Sequence, residues 1–448
     1  MMRLLTYAVW PILACSCLAG GARAATQLTV SEVNRRSLEF NRQYLSTLQE
    51  IRKAEGDVGQ ARSGALPNIS LSSGYTHNFN IPSSFIEVEG DRQELQFGFA
   101  NDWQVALSLR QAIYEGGKVW TAYSIAKQYK KYTQALADQV AAGVLYQGEA
   151  LFYQAILSHA RLAVLLDAMS TYTHNVQVVE QLHSKGLVSR FELLRARTEQ
   201  ANLRPQILRA QSDVRLAEKR LKSFLGLPLN EEIELDEPQA DTSLVGLPDL
   251  QWFVDTALIG RPEMQQSDLM VDMRGNAVAV ARAGYFPNLA AVSQYAWQSS
   301  SDEFKLDENT TSSFTAGLQL SWNIFDGGRT RGEVGKAKAE HRQAELNRMD
   351  LVDQVKLEVE QAYDRLEQAK KSLDIQGQTI AQAEEGLRIA NLRYEAGEGT
   401  LLEVLSAQTA LTEARTSLEE ALFSFRNARA SLRQATTVDI NELLSEEQ

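Results

Sequence analysis

Two short segments of the chain combine residue types that could bind a phosphate. Residues 112–119 read AIYEGGKV and residues 323–330 read NIFDGGRT. Each places an aromatic residue, a carboxylate, two glycines and a basic residue in succession. A phosphate-binding loop also needs a glycine further upstream and a Ser or Thr after the lysine, and Gly116-Gly117-Lys118 has neither. The two segments therefore do not predict nucleotide chemistry.

Other sequence patterns also argue against an enzyme. The two cysteines lie near the N-terminus, there is no Gly-x-Ser-x-Gly motif, and no pair of histidines has metal-ligand spacing. The formal net charge of -12 argues against a nucleic-acid partner held through its phosphates. We expect no catalytic residue, no cofactor and no metal. The histidines concerned are His77, His159, His174, His183 and His341.

The N-terminus has the layout of an export signal. A basic residue at Arg3, an apolar stretch over about residues 4–18 and a small-x-small triplet at residues 22–24 predict a signal peptide over residues 1–24. Both cysteines, Cys15 and Cys17, lie inside this leader. An alternative is a lipobox at residues 12–15, in which Cys15 would become an acylated N-terminus. Either interpretation places the protein outside the cytoplasm.

The rest of the chain is a tandem duplication. The glycine pair Gly116-Gly117 recurs as Gly327-Gly328, an offset of 211 that holds for more than a hundred residues after each pair. We predict a first repeat over residues 25–226, a connector over 227–250, a second repeat over 251–437 and an acidic tail over 438–448. Strands are predicted over about 67–79, 95–114, 287–298 and 313–325, with polar loops over about 80–94 and 299–312.

The predicted strands alternate apolar and polar residues, as Phe314, Leu318 and Leu320 do with Thr315 and Gln319. A half-buried hairpin of a soluble sandwich would also show this pattern. Trp and Tyr near the ends of long alternating strands in an exported protein instead favour a membrane barrel. Four strands cannot close a barrel, and open sheet edges are not tolerated in a bilayer. The sequence therefore predicts that several chains assemble.

A long helix is predicted after each glycine pair. Residues 118–185 and 329–396 keep apolar residues in heptads, and shorter return helices are predicted over 188–225 and 400–436. Glycines at 186 and 397 provide the conformations that a helix end and chain reversal require. Each long helix would measure about 100 Å at about 1.5 Å per residue.

Together these features resemble the TolC family of outer-membrane efflux proteins over essentially the whole chain after the leader. The matching motifs are Pro-Asn at 67–68 and 287–288, the aromatic-acid-Gly-Gly segments at 114–117 and 325–328, Tyr-Glu-Ala-Gly at 394–397, Leu-Glu-Val-Leu at 402–405 and Arg-Pro-Glu at 261–263. The resemblance implies a membrane α+β fold. In it, three chains pool four strands each into a twelve-stranded barrel that continues into a periplasmic tunnel of α-helical coiled coils.

The resemblance also implies a function and partners. The protein is expected to be a passive exit channel, a homotrimer embedded in outer-membrane lipid that accepts substrates from an inner-membrane pump through a periplasmic adaptor. The alternative is an exported periplasmic coiled-coil spacer or adaptor without a barrel. The sequence does not identify the cargo.

The resemblance assigns a pore constriction to the end of the second repeat. Glu403 is expected to face the pore and to form an acidic ring around the threefold axis, with Tyr394 and Ser406 beside it. The alternative for Glu403 is a solvated helix glutamate. Many relatives have a second acid at the position of Ser406, and some have an Arg at that of Gly399, so the gating contacts are expected to differ here.

Four residues at the two chain reversals match positions at which adaptors dock, although they could serve only to shape the turns. These are Gly186, Leu187, Gly397 and Thr400. The glycine pairs at 116–117 and 327–328 are expected to join barrel strands to tunnel helices. At the second junction, Asp326 is placed where the helix macrodipole favours an acid.

Overall fold

The computed structural model describes residues 26–88, 91–237, 244 and 247–438. The predicted leader and residues 439–448 of the predicted tail lie outside this part. The helices are α1 Val30–Phe40, α2 Arg42–Ser63, α3 Lys118–Ser184, α4 Arg190–Phe224, α5 Leu250–Gly260, α6 Pro262–Arg282, α7 Arg329–Glu395 and α8 Leu401–Thr436. The strands are β1 Thr26–Leu28, β2 Asn68–His77, β3 Ser83–Val88, β4 Asp91–Gln96, β5 Asn101–Glu115, β6 Ile233–Leu235, β7 Asn288–Ser301 and β8 Thr310–Ser321.

The long helices form an open wall. The two longest, α3 and α7, have 67 residues each, which corresponds to about 100 Å. Toward the chain reversals, the order across the wall is α7, α8, α3, α4. Toward the strands, the order is α7, α6, α3, α2. Helix α7 is therefore at one edge of the wall, while α4 and α2 share the other.

Apolar seams hold the wall together. Val355, Val359 and Leu366 of α7 are buried against Phe425 and Leu432 of α8, and α5 covers the same cluster. These α7 residues occupy predicted heptad positions, so the coiled-coil expectation is confirmed here. Small residues such as alanine alternate with them along the seam, which lets the helix axes approach closely.

Four strands form one antiparallel sheet in the order β2-β5-β7-β8. Residues paired across the strands share a face: Leu107 lies opposite Leu71 and Tyr295, and Tyr295 lies opposite Phe314. This face is apolar, while the other face carries mostly Ser, Thr, Gln and Asn. The prediction of four strands with one apolar and one polar face is confirmed.

The strand limits differ from those predicted in the first repeat. The predicted loop at about 80–94 contains most of the hairpin β3-β4, and β5 begins at Asn101 instead of near residue 95. An antiparallel ladder pairs backbone groups within the hairpin that a loop would leave to other partners. The polar composition of this segment concealed the hairpin.

The predicted end of the fourth strand was also wrong. Strand β7 begins at Asn288, directly opposite Ser321, so the chain after Ser321 has no strand partner and β8 ends there. The alternation of Trp322 and Ile324 continues past the ladder. The Trp322 indole N–H instead donates to the Tyr285 carbonyl at 3.1 Å. At the other end, β7 extends to Ser301, so the connection to β8 is shorter than predicted.

None of the helices within the described ranges combines the length and apolarity needed to cross a membrane.

Candidate functional site

Both strand-to-helix junctions turn through two successive glycines with left-handed backbone conformations. The φ angles are +61° and +82° at Gly116 and Gly117, and +71° and +88° at Gly327 and Gly328. Non-glycine residues rarely adopt these angles, which explains why the same pair occurs in both repeats. The second glycine of each pair directly precedes its long helix.

The surroundings of the two junctions are not equivalent. A Cβ atom on Gly116 would lie 2.9 Å from the Ala283 carbonyl oxygen and 3.1 Å from the Phe286 Cβ. A Cβ on Gly327 would meet nothing within 4 Å. Gly116 is thus packed against the residues that directly follow α6, whereas Gly327 has open space around it.

Asp326 satisfies the backbone at the start of α7. Its carboxylate accepts from the Thr330 hydroxyl, from the Thr330 N–H at 2.9 Å and from the Gly328 N–H at 3.0 Å. These bonds, the Thr330 hydroxyl first, hold the pKa of the Asp326 carboxyl below its ordinary value. The chain's own carboxylate therefore takes N–H groups that a phosphate would need.

The two chain reversals have the same geometry. Gly186 and Gly397 adopt φ angles of +76° and +75°. The N–H of the following residue reaches back over the helix end, from Leu187 to the Leu182 carbonyl and from Glu398 to the Arg393 carbonyl, at 2.9 Å in both cases. Leu187 is 69% exposed despite its apolar side chain.

The Thr400 hydroxyl caps α8 by accepting from the Glu403 N–H at 3.3 Å. This contact places Glu403 in the first turn of α8. Its carboxylate lies 3.4 Å from the Arg393 guanidinium, and both side chains are about half exposed. Arg393 lies ten positions before Glu403 and next to Tyr394, and it was not among the predicted constriction residues.

The other predicted constriction residues occupy different environments. Tyr394 packs against the apolar cluster of α3, α4 and α8, and its hydroxyl has no hydrogen-bond partner among the described residues. Burial raises the pKa of this hydroxyl, and the Glu192 carboxylate adds to the effect. Ser406 is exposed. Within one chain, the structure pairs Glu403 with Arg393 and places Tyr394 partly inside the helix seam.

A family model described as outer membrane efflux protein matches residues 33–227 and 253–437. The two matched ranges follow the two repeats and cover most of the chain.

Two relatives illustrate the similarity at the sequence level. The cation efflux system protein CusC of Escherichia coli is 22% identical over 268 residues, which cover 59% of this chain but only 57% of CusC. The cobalt-zinc-cadmium resistance protein CzcC of Cupriavidus metallidurans is 23% identical over 397 residues, covering 88% of this chain and 86% of CzcC.

Solved structures share the fold at low identity. The structure of CusC has a TM-score of 0.78 at 18% identity and covers 91% of both chains. The outer membrane protein VceC of Vibrio cholerae has a TM-score of 0.75 at 16% identity, covering 91% of this chain and 95% of VceC.

Proposed function

The chain belongs to the outer membrane efflux protein family, and we propose that three copies of it form a continuous conduit from a periplasmic adaptor and inner-membrane pump to the outside. It is an outer-membrane efflux protein with the fold of outer-membrane channels. This assignment does not support the alternative of an exported periplasmic coiled-coil spacer or adaptor without a barrel. The conduit would have no catalytic step of its own, because the pump would supply the energy.

The main support for the trimer is that both edges of the four-stranded sheet are unpaired within one chain. Strands β2 and β8 are the two outer strands, and all their described side chains are exposed. Leu71 of β2 and Leu318 of β8 are each 71% exposed on the apolar face. Unpaired strand edges are not tolerated in a bilayer, so β8 of one copy must pair with β2 of the next.

The helical wall has open edges on the same sides. Helix α7 continues from β8, and it exposes Leu357 and Ile375. The opposite edge, formed by α2 and α4, exposes Leu208 and Phe191 of α4. Because the two edges are different surfaces, copies join head to tail and close by rotation.

The number of copies follows from the barrel size. Two copies would supply eight strands, and an eight-stranded barrel is just filled by its own side chains. Three copies supply twelve strands and are the smallest closed assembly with room for an aqueous lumen. The polar faces would line that lumen, and the apolar faces would contact lipid.

The chain reversals would form the far end of the tunnel. We propose that Glu403 repeats around the threefold axis as an acidic constriction, with Tyr394 and Ser406 near it. The Arg393 contact would partly neutralise each carboxylate. Adaptor docking is assigned to the turn residues Gly186, Leu187, Gly397 and Thr400, and the exposed Leu187 side chain provides an apolar contact for it.

One pair of variants tests the barrel. Leu318→Arg puts a charge on the apolar face, at a cost of about 2–4 kcal/mol per chain near the bilayer centre. Gln319→Arg adds the same charge to the polar face. We expect the first variant to lose outer-membrane assembly and the second to retain it. Equal tolerance of both variants, or a wild-type monomer that stays soluble without detergent, would contradict the barrel.

A second pair of variants tests the constriction. Glu403→Gln removes the proposed ring charge, while Arg393→Gln removes its partner and leaves the carboxylate unpaired. In planar bilayers we expect cation preference to fall in the first variant and to rise in the second. Identical ion preference in both variants and the wild type would remove Glu403 from the constriction.

A further inference from the structure

The four strands of the sheet carry only three residues charged at neutral pH, and all are on β5. These are Asp102, Arg110 and Glu115. Pairing across the sheet places them on the polar face: Asp102 lies opposite Ser300, Arg110 opposite Asn68 and Val292, and Glu115 opposite Asn288. The interior of the proposed barrel would thus have few charges, and each would act with little competition.

Asp102 and Arg110 differ in how their charges are satisfied. The Asp102 carboxylate accepts from Asn78 Nδ2 at 2.8 Å and from the Ser300 hydroxyl at 2.7 Å. The Arg110 side chain is exposed, and its guanidinium makes no hydrogen bond or ion pair with any residue in the described ranges. Its donors remain available to a solute.

Arg110 lines a cavity of about 480 Å³. The cavity lies where the C-terminal ends of β5 and β8 and the N-terminal end of β7 meet the starts of α3 and α7. Lys118 and Arg329 also line it, as do Glu115 and Glu333. Arg329 lies 3.4 Å from Glu333. Lys118, like Arg110, has no ion-pair partner in the part of the chain that the structure describes.

The net charge of the cavity lining is opposite in sign to the net charge of the whole chain. Three cations face two carboxylates, which leaves one positive charge per chain in a protein of formal charge -12. The side-chain amides of Asn288 and Asn323 add neutral donors to the lining. An arginine guanidinium binds carboxylate, sulfonate or phosphate groups through two parallel hydrogen bonds.

We infer that this cavity binds the anionic group of a small organic solute as it passes from the tunnel into the barrel. Arg110 is the principal contact and Lys118 the second. The position of the cavity in the lumen rests on the proposed trimer, which would bring three copies to one level of the channel. The cargo class is therefore organic anions, including zwitterions that carry a carboxylate.

The probe for this site is pyrene tetrasulfonate, a fluorescent organic polyanion. Its binding is measured by fluorescence on protein in a neutral detergent without phospholipid, which excludes a lipid headgroup as the bound anion. In planar bilayers the probe is added from the outer side, where it enters the barrel without passing the tunnel tip, and block of the current is recorded.

Arg110→Gln should weaken both binding and block by about tenfold to a hundredfold, the usual effect of losing hydrogen bonds to a charged group. Arg110→Lys keeps the positive charge but lacks the planar guanidinium, so it should weaken binding and block by a smaller factor. The matched control is Arg331→Gln, since Arg331 is exposed and lies two residues past Arg329, about 200° around the helix.

Unchanged binding in Arg110→Gln, or an equal loss in Arg331→Gln, would overturn the anion site. All of the residues that line the cavity belong to one chain. The fluorescence measurement therefore tests the site even if the protein forms no conducting trimer, and absence of current with Arg110-dependent binding would refute only the proposed assembly.

Discussion

Replacing Gly116 with alanine should destabilise the protein more than the same change at Gly327, although the two glycines are equivalent in the duplication. Both residues have positive φ angles, so each alanine incurs about 1–2 kcal/mol of backbone strain. At Gly327 this is the main cost, because a new Cβ would have open space around it.

At Gly116 a steric cost is added to the strain. The new Cβ would approach the Ala283 carbonyl oxygen to 2.9 Å, and a backbone atom cannot rotate away as a side chain can. Overpacking of this kind costs about 1–3 kcal/mol. We therefore expect Gly116→Ala to be less stable than Gly327→Ala by about 1–3 kcal/mol per chain.

The assay is guanidinium denaturation in detergent micelles, followed by tryptophan fluorescence because Trp120 and Trp322 lie next to the two junctions. Wild type, Gly116→Ala and Gly327→Ala are compared under identical conditions. Equal destabilisation of the two variants, or a larger effect at Gly327, would refute the reasoning that Gly116 is closely packed by Ala283 and Phe286 while Gly327 has open space around it.

Three further changes are expected to alter stability in the same assay. Arg261→Met removes a buried guanidinium that lies 2.7 Å from the Glu358 carboxylate. The free energy of unfolding should fall by about 1–3 kcal/mol, and an unchanged value would show that the ion pair contributes nothing to stability. Leu366→Ala empties a fully buried seam position and should cost about 2–5 kcal/mol, whereas a loss below 1 kcal/mol would contradict tight packing there. Asp326→Asn should be less stable than wild type at neutral pH. Because the folded pKa of Asp326 is below its ordinary value of 3.8, this difference should shrink as the pH falls below that value, and a difference independent of pH would contradict the capping role.

Several features of the fold could be predicted because their causes are local. The heptads of α7 follow from residues three and four positions apart, as Val355, Val359, Ala362 and Leu366 show, and the two-residue alternation of β8 works in the same way. The glycine pairs were recognisable because few other residues tolerate their φ angles. The prediction failed where partners decided the outcome. Strand β8 ends at Ser321 because β7 begins opposite it, although the apolar alternation continues.

The same distinction between local and tertiary causes applies to the candidate site. The duplication, the family resemblance and the positions of Glu403 and the turn glycines depend on the order of residues, so the sequence by itself determined them. The contact between Glu403 and Arg393, the burial of Tyr394, the close packing of Gly116 and the cavity beside Arg110 were decided only by the tertiary structure. Each of these joins different elements or residues several positions apart in the chain, and their separation depends on how helices and strands pack in space.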